Sequence, residues 1–195
     1  MIEEAIDAIR AGKPVILPTD TVYGLVTTPF SEAPVRRLYA LKGRDELQPA
    51  ALMAPDVDML FELVPELRGR SGTICRALLP GPFTLVLPNP ARRFRWLTGS
   101  NPEAIGVRVP ELSGAAARIL GTVSALVATS ANVHGGPDPA RVDDVPEELR
   151  NAAAVAVDGG ELRGVPSTVF DFTGAEPKVL REGAGGGAGA LAALA

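Results

Sequence analysis

Reactive side chains are nearly missing from this chain, whose 195 residues include one cysteine, one histidine and one tryptophan. A lone thiol, Cys75, can close no internal disulfide and build no cysteine-rich metal site. With Ile74 and Ala77 nearby it reads as a small core residue, a reactive thiol being the alternative. A lone imidazole, His134 in Asn132-Val133-His134-Gly135-Gly136, leaves little for a histidine-based triad or a zinc cluster. It reads as a solvated loop residue, with catalysis as the alternative. Long apolar runs are also absent. None approaches the roughly 20 residues that a membrane span needs, and 22% of the chain is charged. The opening Met1–Asp7 is acidic and amphipathic, unlike a secretory signal, which points to the cytoplasm. Lysine is scarce, at three positions, and the net charge is −4. That argues against the broad basic footprint of a protein that coats nucleic acid, so phosphate affinity must be local. No Gly-rich phosphate loop ending in Gly-Lys-Ser/Thr occurs, and no repeat of 20 to 50 residues.

The chain does have enough apolar content, 46%, to bury one substantial core, and a single domain is the default at this length. Ile2, Ala5, Ile6 and Ile9 predict an opening helix, with Gly12 suited to a left-handed cap. Pro14–Leu17 then reads as a short buried strand running into a polar loop, and Ser31 as the N-cap of a helix through Leu41. Strands are expected at 50–53, 83–87, 105–109, 123–128, 154–157, 168–171 and 179–180. Helices are expected at 57–63, 66–79, 113–120 and 145–152. This alternation favours a layered α/β fold with a mixed sheet, in which ligands gather where strand ends open into loops. The run Gly183–Gly189 reads as a flexible tail with no packed element of its own.

Chemistry-bearing residues cluster at those strand ends. Pro18-Thr19-Asp20-Thr21-Val22-Tyr23-Gly24-Leu25 supplies hydroxyls and a carboxylate. Lys42-Gly43-Arg44 follows a helix, and Thr129-Ser130-Ala131-Asn132 follows a strand. Lys42 and Arg44 read either as an anion grip or as a solvated helix end that complements the dipole. Arg108 stands alone among apolar neighbours and needs a ligand or an internal ion pair. The threonines, Ser130 and Asn132 could equally be satisfying local backbone groups. The chemistry left open is positioning and charge neutralisation, by which phosphoryl and nucleotidyl transfers are mostly accelerated.

Together these segments resemble the YrdC/TsaC family of threonylcarbamoyl-AMP synthases. Pro80-Gly81-Pro82-Phe83-Thr84, Val107-Arg108-Val109-Pro110, Pro166-Ser167-Thr168-Val169 and Leu180-Arg181-Glu182-Gly183 support the likeness, which covers nearly the whole chain. The resemblance implies a YrdC-like twisted mixed β-sheet flanked by helices, with a large concave ligand site, over residues 1–183. A Gly/Ala-rich flexible tail would follow at 184–195, as in the short, single-domain form. It implies synthesis of threonylcarbamoyl-AMP from L-threonine, bicarbonate and ATP with Mg²⁺, and release of pyrophosphate. The product would be handed to tRNA-modifying proteins, with weak or no direct nucleic-acid binding. Carried over residue by residue, Lys42 and Arg44 hold the triphosphate as the catalytic cations, Ser130 and Asn132 contact the nucleotide, and Arg181 contacts ATP. Arg108 pairs with the threonine carboxylate, Thr21 and Ser167 orient the amino acid, Tyr23 forms part of the wall, and Asp20 assists a metal indirectly. Three stretches depart from the family pattern: Val26-Thr27-Thr28-Pro29, Asp45 in place of a proline, and Met53 where many members have histidine. Two other readings remain, a paralogue acting on another carbamoyl compound or adenylate, and a double-stranded-RNA-binding module. Scarce lysine and net acidity weigh against the second.

Overall fold

The computed structural model describes residues 1–192. Nine strands form one mixed sheet: β1 (Val15–Pro18), β2 (Tyr23–Thr27), β3 (Ala51–Met53), β4 (Phe83–Pro88), β5 (Ala104–Arg108), β6 (Leu126–Ser130), β7 (Val155–Ala156), β8 (Thr168–Asp171) and β9 (Lys178–Arg181). Their order is β7-β1-β2-β6-β3-β5-β4-β8-β9. The pairs β1/β7, β3/β5 and β4/β8 are parallel and the others antiparallel. Helices flank it: α1 (Ile2–Arg10), α2 (Glu32–Lys42), α3 (Val57–Leu63), α4 (Arg70–Leu78), α5 (Gly114–Val123), α6 (Glu147–Ala152) and α7 (Gly187–Ala192). The expected α/β class and flanked mixed sheet are what the chain forms.

Successive strand residues point to opposite faces, so paired residues share a face. On one face Val127, Leu52, Val107, Leu85 and Phe170 pair in register across β6, β3, β5, β4 and β8. All five are fully buried, in one cluster with Val35, Leu38 and Tyr39 of α2, Leu60 of α3 and Ile74, Cys75 and Leu78 of α4. The opposite face is covered only in part. Ala5, Ile6 and Ile9 of α1 and Ile119 and Leu120 of α5 pack there on Val15, Leu17, Val26, Met53 and Leu126. Beyond them that face carries the in-register row Ala128, Ala51, Gly106 and Val86, with little side chain to cover.

The departures from expectation have local causes. β2 occupies part of the stretch read as a polar loop, so Thr19–Val22 is the tip of a β1–β2 hairpin. The expected helix from Glu66 starts only at Arg70, because Gly69 adopts φ +54°. Ser31 sits at the N-cap of α2 with extended backbone, yet its hydroxyl makes no capping bond. Residues 184–192, expected to hold no packed element, carry α7, and Ala190 and Leu191 pack against the core. Gly185 allows this because a Cβ there would lie 2.2 Å from the Phe83 ring. Residues 193–195 of that expected tail lie outside the described residues.

Truncating Phe170, central in the fully covered face, should cost about 3–5 kcal/mol. Urea unfolding of Phe170→Ala measures this, and a loss below about 1 kcal/mol would contradict the assigned face.

Candidate functional site

The row of small residues is the floor of a cleft of about 380 Å³. Ala51, Ala104, Gly106 and Ala128 leave room above the sheet, and Thr84, Ser130 and Ser167 add hydroxyls. Thr98, Ser100 and Asn101, from the loop before β5, complete one rim. Among the described residues the charged ones lining the cleft are three arginines, Arg44, Arg108 and Arg181, with no carboxylate beside them in the lining. Arg181 is close enough for its field to lower the proton affinity of both other guanidiniums, on top of the larger effect of burial. A chain of net charge −4 therefore concentrates like charge in one hollow. Such an arrangement is stabilised by an anion.

Arg44 reaches the cleft from the end of α2. Gly43 there adopts φ +63°, its N–H donates to the Ala40 carbonyl, and the Arg44 N–H donates to that of Tyr39. This is a Schellman closure, which turns Arg44 away from the helix and over the Tyr39 ring at 5.7 Å. Arg44 Nη1 donates to Thr129 Oγ1 at 2.8 Å and Nη2 to the Pro49 carbonyl, while its buried Nε has no partner. From β9, Arg181 donates to the Ser167 carbonyl at 2.8 Å and to Ser167 Oγ at 3.2 Å. Ser167 Oγ in turn lies 2.9 Å from Thr84 Oγ1.

Lys42 takes a different position from the one expected. It is the last helical residue, it is 3% exposed, and it does not line the cleft. Its ammonium donates to the Ser130 carbonyl at 2.5 Å, to Ser130 Oγ at 3.1 Å and to Asn132 Oδ1. Ser130 Oγ also donates to Asn132 Oδ1 at 2.8 Å, and Asn132 Nδ2 to the Gly136 carbonyl at 2.7 Å. Lys42 and Asn132 thus stand behind Ser130, which does face the cleft. Burial, reinforced by Arg44, lowers the Lys42 amine to about 8.

The hairpin tip is held by Thr19, whose hydroxyl donates to the Val22 carbonyl at 2.7 Å and accepts the N–H groups of Thr21 and Val22. Thr21, fully buried, accepts from Arg108 Nη2 at 3.3 Å. The same Nη2 donates to Asp20 Oδ1 at 2.6 Å, forming an ion pair whose side chains are 10% and 8% exposed. The internal partner considered for Arg108 is therefore Asp20. Burial lowers the proton affinity of the arginine and raises that of the carboxyl, against their mutual attraction.

Tyr23 corrects the expected wall. It is fully buried in the cluster under the covered face, with its hydroxyl donating to the Gly160 carbonyl at 2.8 Å and accepting from the Gly159 N–H at 2.9 Å. Alternation explains this, since its neighbours Val22 and Gly24 are the residues that line the cleft. His134 is exposed, as expected, and Cys75 is buried with its thiol pushed up to about 12 by desolvation. None of the departing positions lines the cleft. Asp45 is exposed and accepts the Leu47 N–H at 2.9 Å, Met53 packs under α1 and α5, and Thr27 donates to the Lys13 carbonyl at 3.2 Å. Thr84, Thr98, Ser100 and Asn101 were missed, although the polar cluster Thr98-Gly99-Ser100-Asn101 was visible in the sequence. Among the described residues no three His, Cys, Asp or Glu are grouped to hold a metal ion. Asp20, the acid expected to assist one, is engaged by Arg108.

Comparison with known proteins bears on this cleft. The family model Sua5/YciO/YrdC, described as telomere recombination, matches residues 7–183. The threonylcarbamoyl-AMP synthase of Pyrococcus abyssi is 36% identical over 176 residues, covering 90% of this chain and 52% of that protein. This chain therefore spans about half the length of that relative. The threonylcarbamoyl-AMP synthase of Methylococcus capsulatus is 39% identical over 170 residues, covering 86% of this chain and 90% of its own. The crystal structure of P. abyssi Sua5 complexed with L-threonine superposes with a TM-score of 0.83 at 36% identity, over 93% of this chain and 54% of that one. Escherichia coli YciO, at 24% identity and a TM-score of 0.83, shares the fold.

The ammonium of Lys42 has three donors for its three acceptors, and the neutral amine has two. Below pH 8 the group is protonated and all three bonds to Ser130 and Asn132 are made, whereas above pH 8 one of the three is lost. With ATP as a polyanionic probe of the cleft, affinity should fall roughly tenfold between pH 7 and pH 9, with Lys42→Met weak and flat over that range. Titration calorimetry measures both, and an unchanged pH profile in Lys42→Met would contradict the support role.

Proposed function

The chain belongs to the Sua5/YciO/YrdC family, whose model spans residues 7–183, and on that premise we propose that it synthesises L-threonylcarbamoyl-AMP from L-threonine, bicarbonate and ATP. The observation that carries the reading is the convergence of three guanidiniums on one cleft floored by small residues. The reaction suits a site poor in bases. The amine nitrogen of threonine bonds to the bicarbonate carbon while a C–OH bond breaks, and the hydroxide leaves as water with an amine proton, which gives a carbamate that is already anionic. Its oxygen bonds to the α-phosphorus of ATP while the bond from that phosphorus to the β-bridging oxygen breaks, and pyrophosphate leaves with the electron pair. The site's task is to hold two anions together and to neutralise charge on the leaving group.

Arg44 and Arg181 carry the triphosphate in this reading, because neither has a carboxylate partner among the described residues. Arg108 takes the amino-acid carboxylate with Nη1, which donates to no group among the described residues. Ser167 and Thr84 face the same space, and Ser130 presents its hydroxyl to the nucleotide. Lys42 and Asn132 act through Ser130 as positioning residues. Magnesium would arrive on the phosphate oxygens of ATP, the usual mode for this ion. It would supply charge neutralisation there. The reading also carries a cytoplasmic location and transfer of the adenylate to tRNA-modifying proteins. Among the described residues no helix is long and apolar enough to cross a membrane.

Pyrophosphate release should require ATP, bicarbonate and threonine together, with the adenylate identified by mass spectrometry. Release with another carbamoyl compound and without threonine would overturn the reading. Arg108→Gln should raise the KM for threonine about tenfold or more with a smaller change for ATP, in line with loss of one charged hydrogen-bonded contact. Arg44→Ala should show the opposite split, and equal losses in both would refute the division of roles.

A further inference from the structure

We propose that Asp20 is a positioning and selectivity residue that neutralises Arg108 and so divides the cleft into a polyphosphate end and a single-carboxylate end. The inference deepens the proposed function and rests on it. It starts from an asymmetry among three guanidiniums that share one hollow. Arg44 is held by the Thr129 hydroxyl and the Pro49 carbonyl, and Arg181 by the carbonyl and hydroxyl of Ser167. All of these partners are neutral, so both arginines present full positive charge. Arg108 alone has an anionic partner, with Asp20 Oδ1 at 2.6 Å from Nη2.

This geometry fixes which edge of Arg108 is free. Nη2 is engaged by Asp20 and Thr21, while Nε is buried and unpartnered and Nη1 makes no hydrogen bond among the described residues. The edge left over is that of Nη1, whose N–H groups can hold a carboxylate oxygen, whereas Nε–H shares its edge with the engaged Nη2. Asp20 is itself tethered, since Oδ2 accepts the Glu111 N–H at 3.4 Å and the residue lies in the hairpin tip clamped by Thr19. The cleft floor includes Ala51, Gly106 and Ala128, small residues that give a triphosphate little to lodge against. Charge has to do the sorting. With Asp20 ionised, the Arg108 end carries little net charge and attracts a polyphosphate weakly, yet it keeps directed donors for a carboxylate. Without that charge, all three guanidiniums would compete for the same phosphates and displace the amino acid.

Asp20→Asn tests this, because the amide oxygen can still accept from Arg108 Nη2 while the negative charge is gone. Inorganic pyrophosphate is the probe, titrated calorimetrically into the intact protein. The proposal expects pyrophosphate to bind about tenfold more tightly to Asp20→Asn than to the wild type, as an uncompensated charge a few ångströms away would produce. The KM for threonine should rise at least tenfold with kcat within about threefold, and Asp20→Glu should restore both values toward wild type. Adding Arg108→Gln to Asp20→Asn should cancel the gain in pyrophosphate affinity, which locates its source and does not depend on the stability of the single variant. Unchanged or weakened pyrophosphate binding in Asp20→Asn, or a gain that survives Arg108→Gln, would overturn the proposal. The pyrophosphate titration uses neither threonine nor turnover. A wild-type protein that makes no threonylcarbamoyl-AMP would therefore refute the proposed function and still leave the charge-sorting result readable.

Discussion

Everything in this molecule follows from a sheet that is covered completely on one face and only partly on the other. A sheet face of large apolar residues must be buried, and the row Val127, Leu52, Val107, Leu85 and Phe170 is buried beneath α2, α3 and α4. The other face can stay open because its central row is Ala128, Ala51, Gly106 and Val86, where little apolar surface demands cover. The cavity is thus written into side-chain size. Filling it with bulky residues would remove the site before altering the fold.

The second constraint is electrostatic. Arg44 and Arg181 face one hollow with no anionic partner among the described residues, and burial works against the charge of Arg44, so the free protein holds an unfavourable arrangement that an anion relieves. The surrounding hydrogen bonds keep the guanidiniums from turning away. Arg44 is fixed by Thr129 and Pro49, Arg181 by Ser167, and Arg108 by Asp20 and Thr21. Strain of this kind is what preorganisation means for a site whose chemistry needs no protein base. It also reconciles a chain of net charge −4 with the proposed phosphate-binding role, since the field that matters is confined to one cleft.

Much of this was legible in the sequence, and the exceptions share a cause. β8 is where the Thr168–Asp171 pattern placed it, and Gly12 adopts the left-handed conformation its position suggested, at φ +71°. Arg108 was marked by its isolation among apolar neighbours, and Arg44, Ser130, Ser167 and Arg181 do meet at the cleft. The direction of a side chain relative to a sheet could not be read with the same ease. Tyr23 and Lys42 belong to motifs that form the site, yet one points to the opposite face and the other lies behind Ser130. Those outcomes depend on the register of β2 and on the Schellman turn at Gly43, which are properties of pairing and closure rather than of residue type. The floor was invisible for a related reason. Ala and Gly are weak strand formers, and only their alignment across three neighbouring strands makes them a surface.

The most direct test of the account is a crystal structure of the protein with a non-hydrolysable ATP analogue. The triphosphate should lie over the Ala51–Gly106 floor, with its oxygens within hydrogen-bonding distance of Arg44 and Arg181 and with Arg108 still paired to Asp20. Phosphates bound away from that floor, or an open face closed by side-chain rearrangement with the arginines dispersed, would contradict it.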